Sequence, residues 1–141
     1  MIELDNKTSL KLNEQLLNDI ATLFTSKEIE LIITSEDEIQ EINKTHRGVN
    51  APTDVLSFPY QQMPMSPLGS IVISSQHVKK SAKKFGHTES DEGTLLFIHG
   101  LLHLLGFDHE VDNGEMREEE TELIEKFNLP KSLIVRTQEE G

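Results

Sequence analysis

The first half of the chain alternates short apolar runs with one amphipathic segment. Residues 1–4 (MIEL) and 28–34 (EIELIIT) are short, mainly apolar runs, which predicts two strands. Between them, residues 10–24 repeat large aliphatic residues near helical spacing, at Leu12, Leu16, Ile20 and Leu23. That spacing places the apolar side chains on one face, so this segment is predicted to be an amphipathic helix.

Capping and turn residues set the boundaries of the next elements. Ser35 is followed three positions later by Glu38, a capping-box pattern, and Gly48 comes a few turns further on. The residues between Ser35 and Gly48 are therefore predicted to form a short helix. Residues 53–59 (TDVLSFP) and 68–75 (LGSIVISS) are predicted to be strands separated by a proline-containing loop.

Beyond these strands the pattern becomes helical. Three helices are predicted, over residues 76–85, 91–105 and 113–127. The first two are expected to end at Gly86 and Gly106, and the third before Pro130. The last ten or so residues are polar and are expected to be frayed. Strands early and helices late favour an α+β fold, and 141 residues suit one domain spanning residues 1–141.

The composition limits which cellular compartment is expected and which atoms could bind a metal. The chain has no cysteine, so any metal must be bound through nitrogen and oxygen atoms. Its N-terminus lacks a basic patch followed by an apolar run, and the longest apolar stretch, residues 95–107, is short and interrupted by histidines. We expect a cytoplasmic protein that does not associate with membranes.

The charge is negative overall but unevenly distributed. A formal net charge of -12 disfavours polyanions as partners on average. Residues 77–87, however, contain four lysines and no acid. These lysines pair at i and i+4 and form one basic helix face that could follow an RNA backbone, the alternative being an ordinary solvated surface. They are Lys79, Lys80, Lys83 and Lys84.

The most informative segment is HGLLHLLGFDH at residues 99–109, which holds three of the six histidines. His99 and His103 are four apart on one helix face, and Gly106 allows the chain to reverse so that His109 returns toward them. Three neutral imidazoles suit zinc and leave a fourth coordination position open. The alternative is a set of core histidines with backbone partners. The other three are expected at the surface: His46, His77 and His87.

The same histidine spacing occurs in the metzincin signature H-E-x-x-H-x-x-G-x-x-H, whose glutamate is the general base of a protease. This chain has Gly100 at the glutamate position. A metal ion alone can still activate water, but peptide hydrolysis loses its usual proton shuttle. A metalloprotease-like hydrolase therefore remains only as an alternative function.

Two sequence blocks carry a resemblance to a known family. Residues 99–109 match the pattern H-G-x-L-H-L-x-G-Y-D-H except at Phe107, and Arg47 precedes PTDVLSFP at residues 52–59. In these blocks the chain resembles the YbeY-type single-strand-specific endoribonucleases, which act in ribosomal RNA maturation and ribosome quality control. The family usually has L-G-D-I where this chain has Ser70 in place of the aspartate, so Ser70 is not assigned to catalysis.

The resemblance implies a fold. It is a small mixed sheet of about four strands packed with about five helices, with the metal-binding helix of the C-terminal half beneath the sheet in a zincin-like arrangement. The pattern of predicted strands and helices is compatible with this architecture but does not by itself predict it.

The resemblance also implies a chemistry. It is metal-dependent hydrolysis of single-stranded RNA, with one divalent ion, zinc by expectation, held by the three histidines. His99 and Arg47 are assigned to catalysis, Arg47 as a phosphate clamp. Asp108 either orients a ligand imidazole or caps the turn, and Asp54 either acts in catalysis or caps a loop. The implied partners are ribosomal RNA precursors and ribosomal subunits, and no binding to DNA is expected. A further alternative function is that of a ribosome-associated binding protein whose metal is structural.

Overall fold

The computed structural model describes residues 1–61 and 63–139, which form four strands and six helices. In chain order these are β1 (Ile2–Asn6), α1 (Glu14–Thr22), β2 (Ile29–Thr34), α2 (Glu36–Arg47), β3 (Val55–Pro59), β4 (Gly69–Ser74), α3 (Ser75–Phe85), α4 (Glu89–Leu104), α5 (Glu115–Lys126) and α6 (Ser132–Glu139). The α+β class is confirmed, with one helix more than the sequence predicts.

The strands form one mixed sheet in the order β1-β2-β4-β3. β1, β2 and β4 run parallel, and β3 is antiparallel to β4. All six residues of β4 are buried, as expected for an interior strand covered on both faces. Ile71 of β4 pairs with Leu31 of β2 on one side and with Ser57 of β3 on the other. This pairing fixes the register of the three strands relative to one another.

Each face of the sheet packs against different helices. On one face, aliphatic side chains of β2 and β4 such as Leu31 and Ile71 belong to the main core together with Ile20 of α1 and Ile98 of α4. Side chains alternate between faces along a strand, so Val72 belongs to a second cluster. That cluster joins Val72 to residues of β3 and α2, Leu56 and Ile39. The sheet is therefore the middle layer between α2 and the pair α1 and α4.

The local helix signals are mostly confirmed by the geometry of the helix ends. The Ser35 side chain accepts a hydrogen bond from the backbone N–H of Glu38, and Gly48 is left-handed with φ 72°. The first helix begins later than the predicted residue 10. Asn13 caps it by accepting from the N–H of Leu16, and this cap sets the start of α1 after Leu12.

The C-terminal segment differs from the prediction of a frayed tail, which is wrong for residues 132–139. These residues form α6, and Leu133 is fully buried in a cluster with Leu95 and Ile124. The burial of apolar side chains and the pairing of buried polar side chains hold α6 in place. The remaining two residues of the predicted tail, 140 and 141, lie outside the described residues.

The helix α4 is apolar on nearly all sides and is enclosed by the sheet and by neighbouring helices. Its residues 92–98 are all buried, and it packs on β3, β4, α1, α3 and α5. This enclosure explains why the apolar run is suited to a protein core. Across residues 1–61 and 63–139, we find no helix with the length and hydrophobicity needed to span a membrane.

Candidate metal centre

Three histidines converge at the C-terminal end of α4. The Nε2 atoms of His99 and His103, one helical turn apart, lie 3.2 Å from each other. Gly106 follows with φ 101°, a left-handed conformation that reverses the chain and returns His109 to the same point. One potential ligand atom from each histidine lies within 4.8 Å of the others. The predicted triad therefore forms a group that could hold a metal ion.

The environment of these imidazoles fits a metal ion. Burial, followed by the neighbouring imidazoles of His99 and His109, lowers the pKa of His103 below its usual value. A lowered pKa favours the neutral form, which is the form that binds a metal. Among the described residues, Nδ1 of His109 is a buried polar atom with no hydrogen-bond partner, a costly state that coordination would relieve.

Glu120 is a buried acidic neighbour of the triad and was not among the predicted site residues. Its Oε1 atom lies 3.2 Å from Nδ1 of His99 and accepts a hydrogen bond there. The side chain of Glu120 is only 5% exposed. Its signal in the sequence was its place on the apolar side of α5, shared with Met116, Leu123 and Ile124. A carboxylate at a core position of an amphipathic helix needs a hydrogen-bond or ionic partner. Its position therefore indicates that Glu120 does more than keep the protein surface polar.

The triad opens into a cleft with a volume of about 460 Å³. Arg47, in the last turn of α2, is exposed and lines this cleft together with residues of β3. The structure thus brings Arg47 and all three predicted ligands to one concave surface, although Arg47 and His99 are far apart in the sequence.

Gly100 is a point of close contact between α4 and the sheet. A Cβ atom added there would lie 2.8 Å from Cγ2 of Ile71 and 3.1 Å from Oγ of Ser57. The Ser57 hydroxyl also donates a hydrogen bond to the carbonyl of Gly100, at 3.0 Å. Position 100 therefore faces the sheet, and a glutamate there would collide with β4. The geometry disfavours the metzincin mechanism independently of the missing carboxylate.

Asp108 and Ser70 occupy different surroundings. The Oδ1 atom of Asp108 accepts a hydrogen bond from the backbone N–H of Glu110 at 3.0 Å, which caps the turn after α4. Asp108 also lines the cleft. Ser70 is buried in β4 on the opposite face from Ile71, and is absent from the described residues that line the cleft.

The predicted basic face is exposed but separate from this cleft. Lys79, Lys80, Lys83 and Lys84 are all exposed along α3. None of them is among the described residues that line the cleft. Because α3 packs beside α4, the lysines form a positive surface on a neighbouring helix.

The three isolated histidines do not all lie at the surface. His46 is exposed and its ring lies 5.3 Å from that of Phe58, whereas His77 is partly buried with Nδ1 3.2 Å from Oγ of Ser74. The expectation of a surface position is wrong for His87, whose side chain is 1% exposed. Two polar partners, the buried Glu92 and the partly buried Ser132, stabilise the imidazole there.

His87 belongs to a polar chain that runs to the cleft. Its Nε2 donates to Oε1 of Glu92 at 2.7 Å, and Oε2 of Glu92 accepts from Nε of Arg136 at 2.9 Å. A terminal nitrogen of Arg136 then donates to Oδ2 of Asp54 at 3.1 Å. The side chains of Glu92 and Arg136 are 0% and 4% exposed. This buried network connects α4 and α6 to the residue that precedes β3.

Comparisons with known proteins give consistent matches over most of the chain. Residues 2–128 match the family model described as Endoribonuclease YbeY. A relative from Sulfurimonas denitrificans named Endoribonuclease YbeY is 63% identical and covers 98% of this chain and 99% of its own length. One from Nautilia profundicola with the same name is 57% identical and covers 99% and 100%. The solution structure of a Thermotoga maritima protein has a TM-score of 0.59 and 26% identity, over 99% of this chain and 93% of that one.

Proposed function

The chain belongs to the YbeY endoribonuclease family, and from this membership we propose that it is a metal-dependent endoribonuclease that hydrolyses single-stranded RNA. The observation that carries the proposal is the convergence of His99, His103 and His109 in a cleft that Arg47 also lines. Three nitrogen ligands and a nearby guanidinium suit the cleavage of a charged phosphodiester.

The three histidines would hold one divalent ion, and zinc suits a donor set of neutral imidazoles. When bound, such an ion polarises a phosphoryl oxygen and activates water for attack. Because the Glu120 carboxylate can only accept a hydrogen bond, it keeps the proton of His99 on Nδ1. The lone pair of His99 Nε2 is then directed toward His103, so His99 contributes to catalysis as an oriented ligand.

Arg47 would bind the phosphate of the scissile bond. Its guanidinium is planar and can donate two parallel hydrogen bonds to phosphate oxygens. The side chain is exposed in the cleft and therefore accessible to RNA. In this position it would stabilise the negative charge that grows on the phosphoryl oxygens in the transition state.

The substrate in the cell would be a ribosomal RNA precursor, with ribosomal subunits as partners in the cytoplasm and no role for DNA. The exposed lysine face of α3 supports an RNA partner, because it is a cationic surface on a chain of net charge -12. Asp108 would shape the loop that carries His109, through its hydrogen bond to the N–H of Glu110.

The experiment that tests the proposal combines elemental analysis with a cleavage assay. Purified protein and His103→Ala are compared for metal content, and both are incubated with a defined single-stranded RNA, with and without a chelator. Matched duplex RNA and single-stranded DNA serve as controls. We expect one divalent ion per chain, cleavage of the single-stranded RNA alone, and loss of both metal and cleavage in His103→Ala.

The two alternatives predict different results in the same preparation. Metal-dependent digestion of casein, abolished in His99→Ala, would support a peptidase, which the contact of Gly100 with the sheet disfavours. Stoichiometric metal with RNA binding but without cleavage would support a binding protein with a structural metal. Substoichiometric metal that is unchanged in His103→Ala would contradict the metal site itself.

A further inference from the structure

We propose that Asp54 accepts the proton of the attacking water and that Arg136 of α6 positions the Asp54 carboxylate. The inference rests on the proposed function, because it adds a proton acceptor to the same reaction. Asp54 lines the cleft that holds the histidines and Arg47. It also lines a small inner cavity of about 20 Å³ shared with His99, His109 and Arg136. Asp54 therefore borders both cavities, which His99 and His109 of the histidine triad also line.

The Asp54 carboxylate is fixed at both oxygens. Oδ1 accepts from the backbone N–H of Val55 at 2.8 Å, and Oδ2 accepts from Arg136 at 3.1 Å. The backbone carbonyl of Asp54 accepts from the N–H of Ser74, at 2.9 Å, which ties the residue to β4. Its side chain nevertheless remains 24% exposed. An ionised carboxylate has about four acceptor positions, so lone pairs remain for a water molecule in the cleft.

Arg136 can hold this carboxylate because it is itself fixed from behind. Its guanidinium is shared between Asp54 and the fully buried Glu92, which in turn accepts from His87. An arginine contributes a rigid fork of donors, so two carboxylates on different elements acquire a defined spacing. Arg136 lies beyond residue 128, the last that the family model matches. Asp54, by contrast, lies within the matched range.

Two other acidic residues line the cleft and fit the role less well. Asp108 is in the turn after α4, and one of its carboxylate oxygens accepts from the N–H of Glu110 within that turn. Glu110 is exposed on the same loop. Asp54 instead combines a buried cationic support with an opening to the cleft, which is how a proton acceptor is held in a productive geometry. Gly100 carries no side chain that could compete for this role.

In this step Asp54 takes up a proton from water and is regenerated afterwards. An O–H bond of the attacking water breaks and its proton passes to the Asp54 carboxylate, while the water oxygen forms a bond to phosphorus. The bond from phosphorus to the leaving oxygen breaks, and that oxygen takes a proton from solvent. Asp54 then releases its proton to solvent, so the protein returns to its starting state without an oxidant, reductant or co-reactant.

The test compares Asp54→Ala with the control Glu118→Ala, which removes an exposed carboxylate of α5 outside the cleft. Cleavage, metal content, thermal midpoint and affinity for the RNA after chelation are measured for each protein. We expect Asp54→Ala to lower kcat by at least about 100-fold with KM near wild type, because a positioned base typically contributes this much. Metal content should remain near wild type, whereas the midpoint should fall modestly, because the pair between Arg136 and Asp54 that helps to hold α6 is lost. RNA affinity should be equal or higher, since a negative charge near phosphate is removed.

Added formate distinguishes a proton acceptor from a structural residue. A small carboxylate can enter the space left by the removed side chain, so formate should raise the rate of Asp54→Ala several-fold and leave wild type unchanged. Cleavage by Asp54→Ala within threefold of wild type, loss of metal in this variant, or no response to formate would each overturn the inference. If wild type itself does not cleave RNA, the proposed function fails instead, so the two failures are distinguishable.

Arg136 is tested by Arg136→Gln and Arg136→Lys, with Gln138→Ala on the same helix as the control. We expect Arg136→Gln to lower kcat while KM and metal content stay near wild type, and Arg136→Lys to recover part of the rate because it keeps the charge. If Arg136→Gln does not fold, the double variant Arg136→Gln with Glu92→Gln removes the unpaired buried charge. Equal rates in wild type and the folded glutamine variant would exclude a positioning role.

Discussion

Glu120 places a carboxylate oxygen 3.2 Å from Nδ1 of His99, although 21 positions separate the two residues. The contact joins α5 to α4 on the side of His99 opposite to the nitrogen that faces His103. A carboxylate behind a ligating imidazole fixes its tautomer and orientation and makes it a better metal ligand. The candidate metal site is therefore supported by a helix that contributes none of the three histidines.

This relationship predicts the behaviour of Glu120→Gln. The amide keeps the size of the side chain and an acceptor oxygen but removes the negative charge. We expect metal affinity to fall about 10- to 100-fold, because loss of such supporting contacts typically has this effect. The measurement is competition with a chelator of known affinity. Glu118→Gln, at an exposed position of the same helix, should bind metal like wild type; equal affinities in all three proteins would contradict the assigned role.

The parts of the site that could be predicted are those encoded over short distances. His99, His103 and Gly106 lie within three helical turns, so their spacing alone fixes how they meet. The capping of α2 by Ser35 is similarly local. Glu120 was not predicted, because nothing in the neighbouring sequence distinguishes it from the solvated acids of the same segment except its place on the apolar side of α5.

The helix α6 could not be predicted for a related physical reason. Its sequence is short, and its stability comes from contacts with distant residues. Arg136 pairs with Asp54 across 82 positions and with Glu92 across 44. An isolated helix of eight residues would be marginal in water, so tertiary contacts decide its formation. The same non-local pairing gave His87 a buried position in place of the expected surface one.

Metal retention should depend on pH with a defined sign. Protons compete with the ion for imidazole nitrogens, and the lowered pKa of His103 reduces this competition at neutral pH. His103 therefore stays neutral to a lower pH than an ordinary histidine. We expect full metal content near pH 7 and progressive loss as pH falls below about 6.5. Elemental analysis after dialysis at a series of pH values measures the metal content. Metal content that is unchanged down to about pH 4 would contradict imidazole ligation.

Gly100→Ala should destabilise the protein by about 1–3 kcal/mol, the usual effect of overpacking a core. The added methyl group would lie 2.8 Å from Cγ2 of Ile71, on a strand that is buried and cannot move freely. Gly93→Ala on the same helix is the matched control, because its new methyl meets only the end of the flexible Leu12 side chain. Chemical denaturation provides the comparison. Equal stability of the two variants would show that α4 can shift away from the sheet.

The lysine face of α3 should affect the salt dependence of RNA binding. Replacing Lys79, Lys80, Lys83 and Lys84 with glutamine removes up to four phosphate contacts. The slope of log K against log salt concentration should then become shallower by up to about 3, since each contact to a single strand contributes roughly 0.7. The control replaces four exposed lysines elsewhere and makes the same change in net charge: Lys11, Lys44, Lys126 and Lys131. Equal slopes in the two variants would assign the α3 lysines to a solvated surface.

Arg47→Lys tests whether the exposed arginine of the cleft acts on the reacting phosphate. Lysine keeps the charge but loses the planar two-point contact, so cleavage should fall on the order of 100-fold if that contact forms in the transition state. RNA binding after chelation should weaken far less, and metal content and thermal midpoint should remain near wild type. Lys44→Ala, one turn earlier on α2 and also exposed, should cleave normally. Cleavage by Arg47→Lys within twofold of wild type would exclude a catalytic role. A lost rate accompanied by lost metal or a lowered midpoint would instead assign Arg47 to folding, because the cleft that it lines would itself have changed.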